Sequence, residues 1–484
     1  MQKKIIILCT VILIVVMEAL FALIGALMPG PFTGTVTDAE TNEPIANVSV
    51  SDGRNVVKTD ENGAYTLPGY SKSRFVTVTT PAGYWTENYY IPVTKDRETY
   101  DFRLDKSEKT AQADHSFLQI SDSEIGAKGV GAWIEHVRDT VKETDPAFLI
   151  HTGDICYEDG LKQHIKDMNT ENMGVPVRYV IGNHDYVAGK YGEALFESIY
   201  GPVWYSFDVG NVHYVVTPFQ TGADYASGYN KNDRWKWLEN DLANVEPGMK
   251  VVMFNHTKAP SDDYVLSYGL KKLDLKEHDL IAWVYGHYHY NYITETDGVL
   301  NISTGRPDCG GIDSSASGSR LISITANGQV STQMYYYDFE QPQAPDGANW
   351  SAQLEGNLLF ADPLAVGNQI FAATVDDDYP RTCGVYSLNA ADGSVNWFFK
   401  TLNSVKNKLV YANGKIVAQD CEGTVYCLNA ETGALLWQKK VDLGGSLGTS
   451  SGLCADGSTV YAGCAASITA LDLETGDTRW NPPR

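Results

Sequence analysis

The sequence predicts a multidomain chain in which an α/β domain stands between an all-β sandwich and partial β-propeller blades. Three observations carry this. Between Gly34 and Leu104, runs such as "GTVTD", "NVSVSDG" and "RFVTVTTPAGYW" alternate apolar with polar residues and are punctuated by Asn-Gly and Asp-Gly, the pattern of a small antiparallel sandwich. Between Asp114 and Phe339, apolar strand-like runs alternate with helix-like stretches such as "GAWIEHVRDTVKET" and "NDRWKWLENDLANV", which implies a layered α/β domain. Beyond "QPQAPDGANW", three similar segments end on Trp397, Trp437 and Trp480, 40 and 43 residues apart, a blade-length period.

Taken in order, the first element is residues 1–29. After "MQKK" comes a mostly apolar stretch, Ile5 to Met28, longer than the roughly 7 to 15 residues of a signal h-region and long enough to span a bilayer. No small-x-small cleavage site closes it, which predicts an uncleaved membrane anchor with Lys3 and Lys4 inside and the bulk of the chain outside. Glu18 in mid-segment is costly there and keeps a cleaved signal peptide as the alternative. The expected location is therefore the cell envelope, membrane-anchored and facing outside the cytoplasm, or secreted or periplasmic if the segment is removed.

Residues 30–108 form the predicted sandwich, which holds no histidine and no evident acid–base pair. It reads as a spacer or ligand-neutral module. Residues 109–340 form the α/β domain, and all ten histidines fall between His115 and His289. Residues 341–484 carry the blades: three full repeats and a partial one near Trp350, fewer than the roughly four to eight blades of a closed propeller.

Lys plus Arg number 37 against 60 Asp plus Glu, a net charge of -23. That balance opposes binding to polyanions and excludes nucleic acid as a natural partner, while leaving a small phosphate ester open. None of the eight cysteines outside or within the apolar segment forms a CxxC pair, so zinc-finger chemistry has no support. Cys421 and Cys464 sit at equivalent repeat positions, weak grounds for a disulfide.

Chemistry is concentrated in five segments, each placing polar groups directly after an apolar run. "FLQISDSE" gives Asp122 and Glu124; "FLIHTGDICY" gives Asp154 and Tyr157; "VRYVIGNHD" gives Asn183, His184 and Asp185. "VVMFNH" gives His256, and "LIAWVYGHYH" gives His287 and His289. In an α/β sheet, ligands gather at the carboxyl ends of strands. A lone strand-end Asp is often a turn or cap residue, but five such segments in series supply the carboxylate, amide and imidazole ligands that a pair of metal ions requires.

The order Asp-x-Glu, Gly-Asp-x-x-Tyr, Gly-Asn-His-Asp, His, Gly-His-x-His resembles the calcineurin-like metallophosphoesterase superfamily. The resemblance implies a β-sandwich flanked by helices and a dinuclear centre in which Asp154 bridges two ions. Asp122 and His289 would hold the first ion, Asn183, His256 and His287 the second, and His184 would face the substrate phosphate. A two-metal-activated hydroxide would attack phosphorus, with His184 as general acid or electrostatic stabiliser. The first motif departs from the usual Asp-x-His, and the Gly-Asp-x-x-Tyr form is similar to the purple acid phosphatase branch, where tyrosine fills the missing ligand as a phenolate. Two readings stay open: Tyr157 ligates, which calls for Fe(III) paired with Zn or Mn, or Glu124 ligates and Tyr157 packs, with Mn/Mn, Zn/Zn or Fe(II) in the site.

Asp185 is expected to orient backbone, and His151 to stand behind the ligands. His136, His164 and His278 read as solvated, and His213 as packed within a strand. Arg306 and Arg320 are candidates for a phosphate contact or for structural salt bridges. The sandwich resembles the carboxypeptidase-regulatory-like β-sandwich, and the Leu-x-x-x-x-Gly-x-x-x-Trp units resemble quinoprotein-like propeller blades. Together these predict a metal-dependent phosphoesterase acting on phosphomonoesters or phosphodiesters outside the cytoplasm, its flanking β modules touching protein or glycan. Nucleotide or phospholipid headgroup hydrolysis is the variant within the enzyme class; a catalytically weak surface binding scaffold is the rival outside it.

Overall fold

Burial on both faces explains the strands of the central domain: all four residues of Phe148–His151 and five of six in Leu280–Tyr285 are buried, as strands covered on either side require. The computed structural model describes residues 31–124, 130–218, 223, 225–307, 317–337, 346–356, 358, 361–378, 382–441, 452–464 and 467–480. The proposed anchor or signal segment lies outside these residues, as does most of the loop after Pro307. Among the described residues, no helix is long and apolar enough to cross a membrane.

Two sheets make the central domain. In one, successive strands are Val177–Tyr179, Phe148–His151, His115–Ile120 and Gly318–Ile324, the first three mutually parallel. In the other, they are Tyr205–Val209, Val212–Val216, Lys250–Phe254, Leu280–Tyr285 and Val299–Ser303, parallel from the second onward. Aromatic rings join the sheets: Phe117 stacks on Phe148 at 4.9 Å and meets Phe254 edge-on at 5.4 Å, while Phe148 meets Tyr214 at 5.0 Å. Helices Val130–Thr144, Tyr157–Asp167, Ala194–Tyr200 and Lys231–Leu242 connect the strands. The last starts from a reciprocal cap in which Asn230 Oδ1 accepts the Asp233 N–H at 3.0 Å and Asp233 accepts the Asn230 N–H at 2.9 Å. Because the parallel strands share one direction, Ile120, His151, Tyr179, Phe254 and Tyr285 all end on the same edge.

The N-terminal module is a β-sandwich of two four-stranded sheets, with Val36, Val50, Val76, Val78 and Leu104 buried. It is no loose spacer. Thr80 bridges to Phe207 and accepts the Asp208 N–H at 2.9 Å, covering the edge of the larger central sheet. Arg178, fully buried, lies 3.7 Å from the ring centroid of Trp85 and 4.1 Å from that of Tyr89. In the reverse direction, Arg74 of the sandwich sits 3.6 Å and 3.8 Å from the rings of Tyr191 and Tyr229 and pairs with Glu197 at 2.6 Å.

Three four-stranded antiparallel sheets, 364–400, 410–440 and 452–480, form the blades. Their registers shift at matching places, Ser387/Leu388, Cys427/Leu428 and Ala470/Leu471. Tryptophans link successive repeats: the indole N–H groups of Trp350, Trp397 and Trp437 donate to the carbonyls of Ala390, Ala430 and Leu473 at 3.0, 3.2 and 3.0 Å. Cys421 is buried.

Candidate metal centre

The site is built on tight turns that follow the strand ends. Asp122, Glu124, Asp154, Cys156, Tyr157, His287 and His289 all have positive φ, between 44° and 80°. Such backbone is uncommon outside glycine and persists where surrounding structure over-determines it, as at functional sites. Neighbouring glycines allow close approach: a methyl group on Gly182 would run into the Asp154 carboxylate, and one on Gly286 into Ser121 and Asp122.

Among the described residues, two groups have metal-ligand spacing, Asp154 with His256 and His287, and Asp122 with Asp154 and His289, each with its ligand atoms within 4.8 Å of one another. His256 is fully buried, and its Nδ1–H donates to the Thr152 carbonyl at 2.8 Å. That leaves Nε2, which points at Asp154 Oδ2, 3.0 Å away, and at His287 Nδ1, 3.3 Å away. Asp154 Oδ1 accepts the His184 N–H at 2.9 Å, and the Asp122 carboxylate accepts the His287 N–H at 3.1 and 3.0 Å. Asn183 Oδ1 is buried with no hydrogen-bond partner among the described residues.

These atoms fit a metal ion. Carboxylate and imidazole groups converge on one point, and a ring N–H tied to a backbone carbonyl is how metal-binding histidines are oriented. The electrostatics agree. Burial opposes a charged imidazole at His256, yet Asp154 and Asp122 outweigh it and hold the group up at about 9. Burial likewise raises Asp154, but His256 and the His184 N–H bring it down to about 2. The pocket thus draws positive charge toward Nε2.

Several residues stand around this core. Asp185 accepts the N–H groups of Gly182, Cys156 and Asp154 at 2.8, 2.9 and 3.0 Å, binding two motifs together; burial and the Asp154 charge push it up to about 7. His151 stands behind the ligands, its Nε2 2.8 Å from Ser123 Oγ and its Nδ1 accepting the Gly153 N–H. His184 is half-buried, with its Nδ1 3.4 Å from the Tyr157 hydroxyl. Tyr157 is 58% exposed. Glu124 pairs with Arg306, Oε2 to Nη2 at 2.8 Å.

Some expectations change. His164 is fully buried, not solvated: the period of its helix puts Gly160, Leu161 and His164 on the inward face, where burial lowers its pKa to about 3. Its ring meets His151 edge-on at 4.9 Å. His213 lies within its strand as expected, but as an ion-paired group between Asp208 and Asp241. Arg320 is fully buried and donates to Thr304 Oγ1 at 3.0 Å and to the Ser303 carbonyl. Asp185 holds backbone, as its motif leads one to expect; the Thr152 carbonyl is a main-chain group that residue type does not mark, and the adjacent Gly153 is the nearest signal.

Comparison with known proteins finds matches to three stretches of the chain. Residues 115–291 match the family described as calcineurin-like phosphoesterase, residues 30–107 the N terminal of calcineurin-like phosphoesterase, and residues 343–483 the outer membrane protein assembly factor BamB family. Among curated proteins, tetrathionate hydrolase of Acidithiobacillus ferrooxidans is 26% identical over 112 residues, 19% of this chain and 22% of that one. BamB of Yersinia pestis is 25% identical over 150 residues, 31% of this chain and 35% of that one. The chain spans only about a fifth to a third of the length of these relatives. Of solved structures, GAP50, the anchor in the inner membrane complex of Plasmodium, is 13% identical and covers 46% of this chain and 84% of that one, with a TM-score of 0.32. BamB from Moraxella catarrhalis is 21% identical over 33% of this chain and 44% of that one, with a TM-score of 0.24.

Proposed function

We propose that the calcineurin-like phosphoesterase domain of this chain hydrolyses phosphomonoesters or phosphodiesters in the cell envelope, outside the cytoplasm. The observation that carries this reading is the meeting of ligand atoms of Asp154, His256 and His287 within 4.8 Å of one another. In this reading Asp154, Asp122, His289, Asn183, His256 and His287 would hold the metal ions. When bound, a pair of such ions neutralises phosphoryl oxygens and lowers the pKa of water.

The protein's own groups do the rest. His184 is fixed by its backbone bond to Asp154 Oδ1, and its Nε2 is the atom we assign to protonating the leaving oxygen. The exposed Tyr157, with its hydroxyl 3.4 Å from His184 Nδ1, supports a role beside that acid over a phenolate ligand, and hence divalent Mn, Zn or Fe. Asp185 keeps the Asp154 and Asn183 turns in register. The blades match a family named for an outer membrane protein assembly factor, which supports an envelope location and a protein-binding role for that region. The apolar stretch from Ile5 to Met28 supports export, as anchor or signal.

The test is hydrolysis of bis-p-nitrophenyl phosphate by the full chain loaded with Mn(II) or iron, beside Asp154→Asn. Turnover that vanishes in the variant is the expected result. A folded, metal-bound protein inert toward phosphomonoesters and phosphodiesters alike would favour the binding-scaffold reading.

A further inference from the structure

Glu124 occupies the position where a metal ligand is missing from the first motif, and its carboxylate is already engaged. The backbone of this turn is laced to the bridging motif: the Asp122 N–H donates to the Gly153 carbonyl at 2.9 Å and the Glu124 N–H to the Asp154 carbonyl at 3.2 Å. Glu124 therefore stands next to Asp154, at the rim of the centre. Its Oε2 takes Nη2 of Arg306 at 2.8 Å. Arg306 lies three residues beyond the strand Val299–Ser303, which runs parallel to Leu280–Tyr285, the strand that leads into His287. It thus reaches the same edge of the sheet from a neighbouring strand.

We propose that Arg306, held in place by Glu124, grips a non-bridging oxygen of the substrate's phosphoryl group. This rests on the phosphoesterase reading and deepens it. The two side chains are 21% and 26% exposed, so a small anion in solvent can reach the pair, unlike Arg320, which is fully buried and donates to Thr304 and the Ser303 carbonyl. A guanidinium offers five N–H donors in a planar fork, so a carboxylate on one nitrogen orients the fork and a tetrahedral oxyanion can take donors from another edge. The location favours it too. Asp122, Asp154 and Glu124 gather carboxylates at the site, and a guanidinium there offsets part of their charge toward an incoming phosphate. Glu124 is here the positioning residue of Arg306, not a third carboxylate ligand.

The test uses the full chain loaded with Mn(II), measuring metal content after desalting and the affinity for inorganic phosphate by calorimetry, in wild type, Glu124→Gln, Arg306→Ala and Arg306→Lys. Arg306→Ala is expected to keep both metal equivalents and to weaken phosphate binding by about 10- to 100-fold, the loss of charged hydrogen bonds. Arg306→Lys, which keeps the charge and the bulk but not the fork, should fall between, and guards against misfolding of the alanine variant. Glu124→Gln should retain its metal and lose several-fold in phosphate affinity. Loss of one metal equivalent in Glu124→Gln would overturn the proposal by making Glu124 a ligand, and so would unchanged phosphate affinity in Arg306→Ala. Failure of the phosphoesterase reading looks different: wild type itself would take up no metal, and the proposal would fall with it.

Discussion

His256 Nε2 lies 3.0 Å from Asp154 Oδ2 while its Nδ1–H is committed to the Thr152 carbonyl. The ring cannot turn without abandoning a buried carbonyl, so Nε2 is aimed at the Asp154 carboxylate. His256→Ala should remove about one metal equivalent and cut hydrolysis by about 100-fold or more, since even residues that only support ligands are worth 10- to 100-fold. Elemental analysis alongside the rate checks both. A chelator should abolish turnover in wild type, and added Mn(II) should restore it.

His184 makes a different prediction because it is placed beside the ligands, tied through its backbone N–H to Asp154 Oδ1 at 2.9 Å. His184→Gln keeps that backbone bond and removes the imidazole. Metal content should stay at the wild-type level while kcat falls by about 10²- to 10⁴-fold, the usual range for a general acid. The deficit should be larger for an alkyl ester than for a p-nitrophenyl ester, whose leaving group departs without a proton. Equal losses on both substrates would argue that His184 acts only through its charge.

How much of this was legible beforehand follows from the kind of signal each residue leaves. Asp154, His256 and His287 each follow an apolar strand, and parallel strands bring their ends to one edge, so sequence order alone predicts their meeting. The pairing of Glu124 with Arg306 joins residues far apart in the chain, and nothing local in "SDSE" or "STGRPD" announces it. His164 misleads for a simple reason: it is flanked by lysines and glutamine, and only the helical period of Tyr157–Asp167 turns it inward. The sandwich gives away its own strands, but its fusion to the α/β domain rests on Arg74 and Arg178, which in isolation read as ordinary surface cations.

His213 carries the pH dependence of the fold. Its Nδ1 lies 2.7 Å from Asp208 Oδ1 and its Nε2 3.0 Å from Asp241 Oδ2, so both nitrogens must bear hydrogen and the ring is an imidazolium. Burial opposes the charge, but Asp241 and Asp208 outweigh it and raise the group from an ordinary value of 6.5 to about 10. With the folded pKa above the unfolded one, this contribution is complete below about pH 6.5 and is lost as pH rises through about 10. The urea midpoint should decline across that window, and His213→Gln should flatten the decline. The variant should also be less stable by roughly 3 to 5 kcal/mol at pH 6, as when one partner of a buried ion pair is removed.

Arg178 tests whether the N-terminal sandwich and the α/β domain melt as one body. Its guanidinium is fully buried between the central sheet and the rings of Trp85 and Tyr89, and it donates to the Thr86 carbonyl at 3.3 Å. A desolvated cation–π contact contributes about 2 kcal/mol, and the alanine variant also leaves a cavity, so Arg178→Ala should cost roughly 3 to 5 kcal/mol. Arg178→Lys should rescue little, because an ammonium is more strongly hydrated than a guanidinium and cannot stack flat on two rings. If the two domains share one transition, calorimetry should show the wild-type sandwich and α/β domain unfolding together and the variant splitting into two steps. A sandwich that melts separately in wild type would mean that Arg74 and Arg178 dock a module stable on its own, and the spacer reading would regain its place.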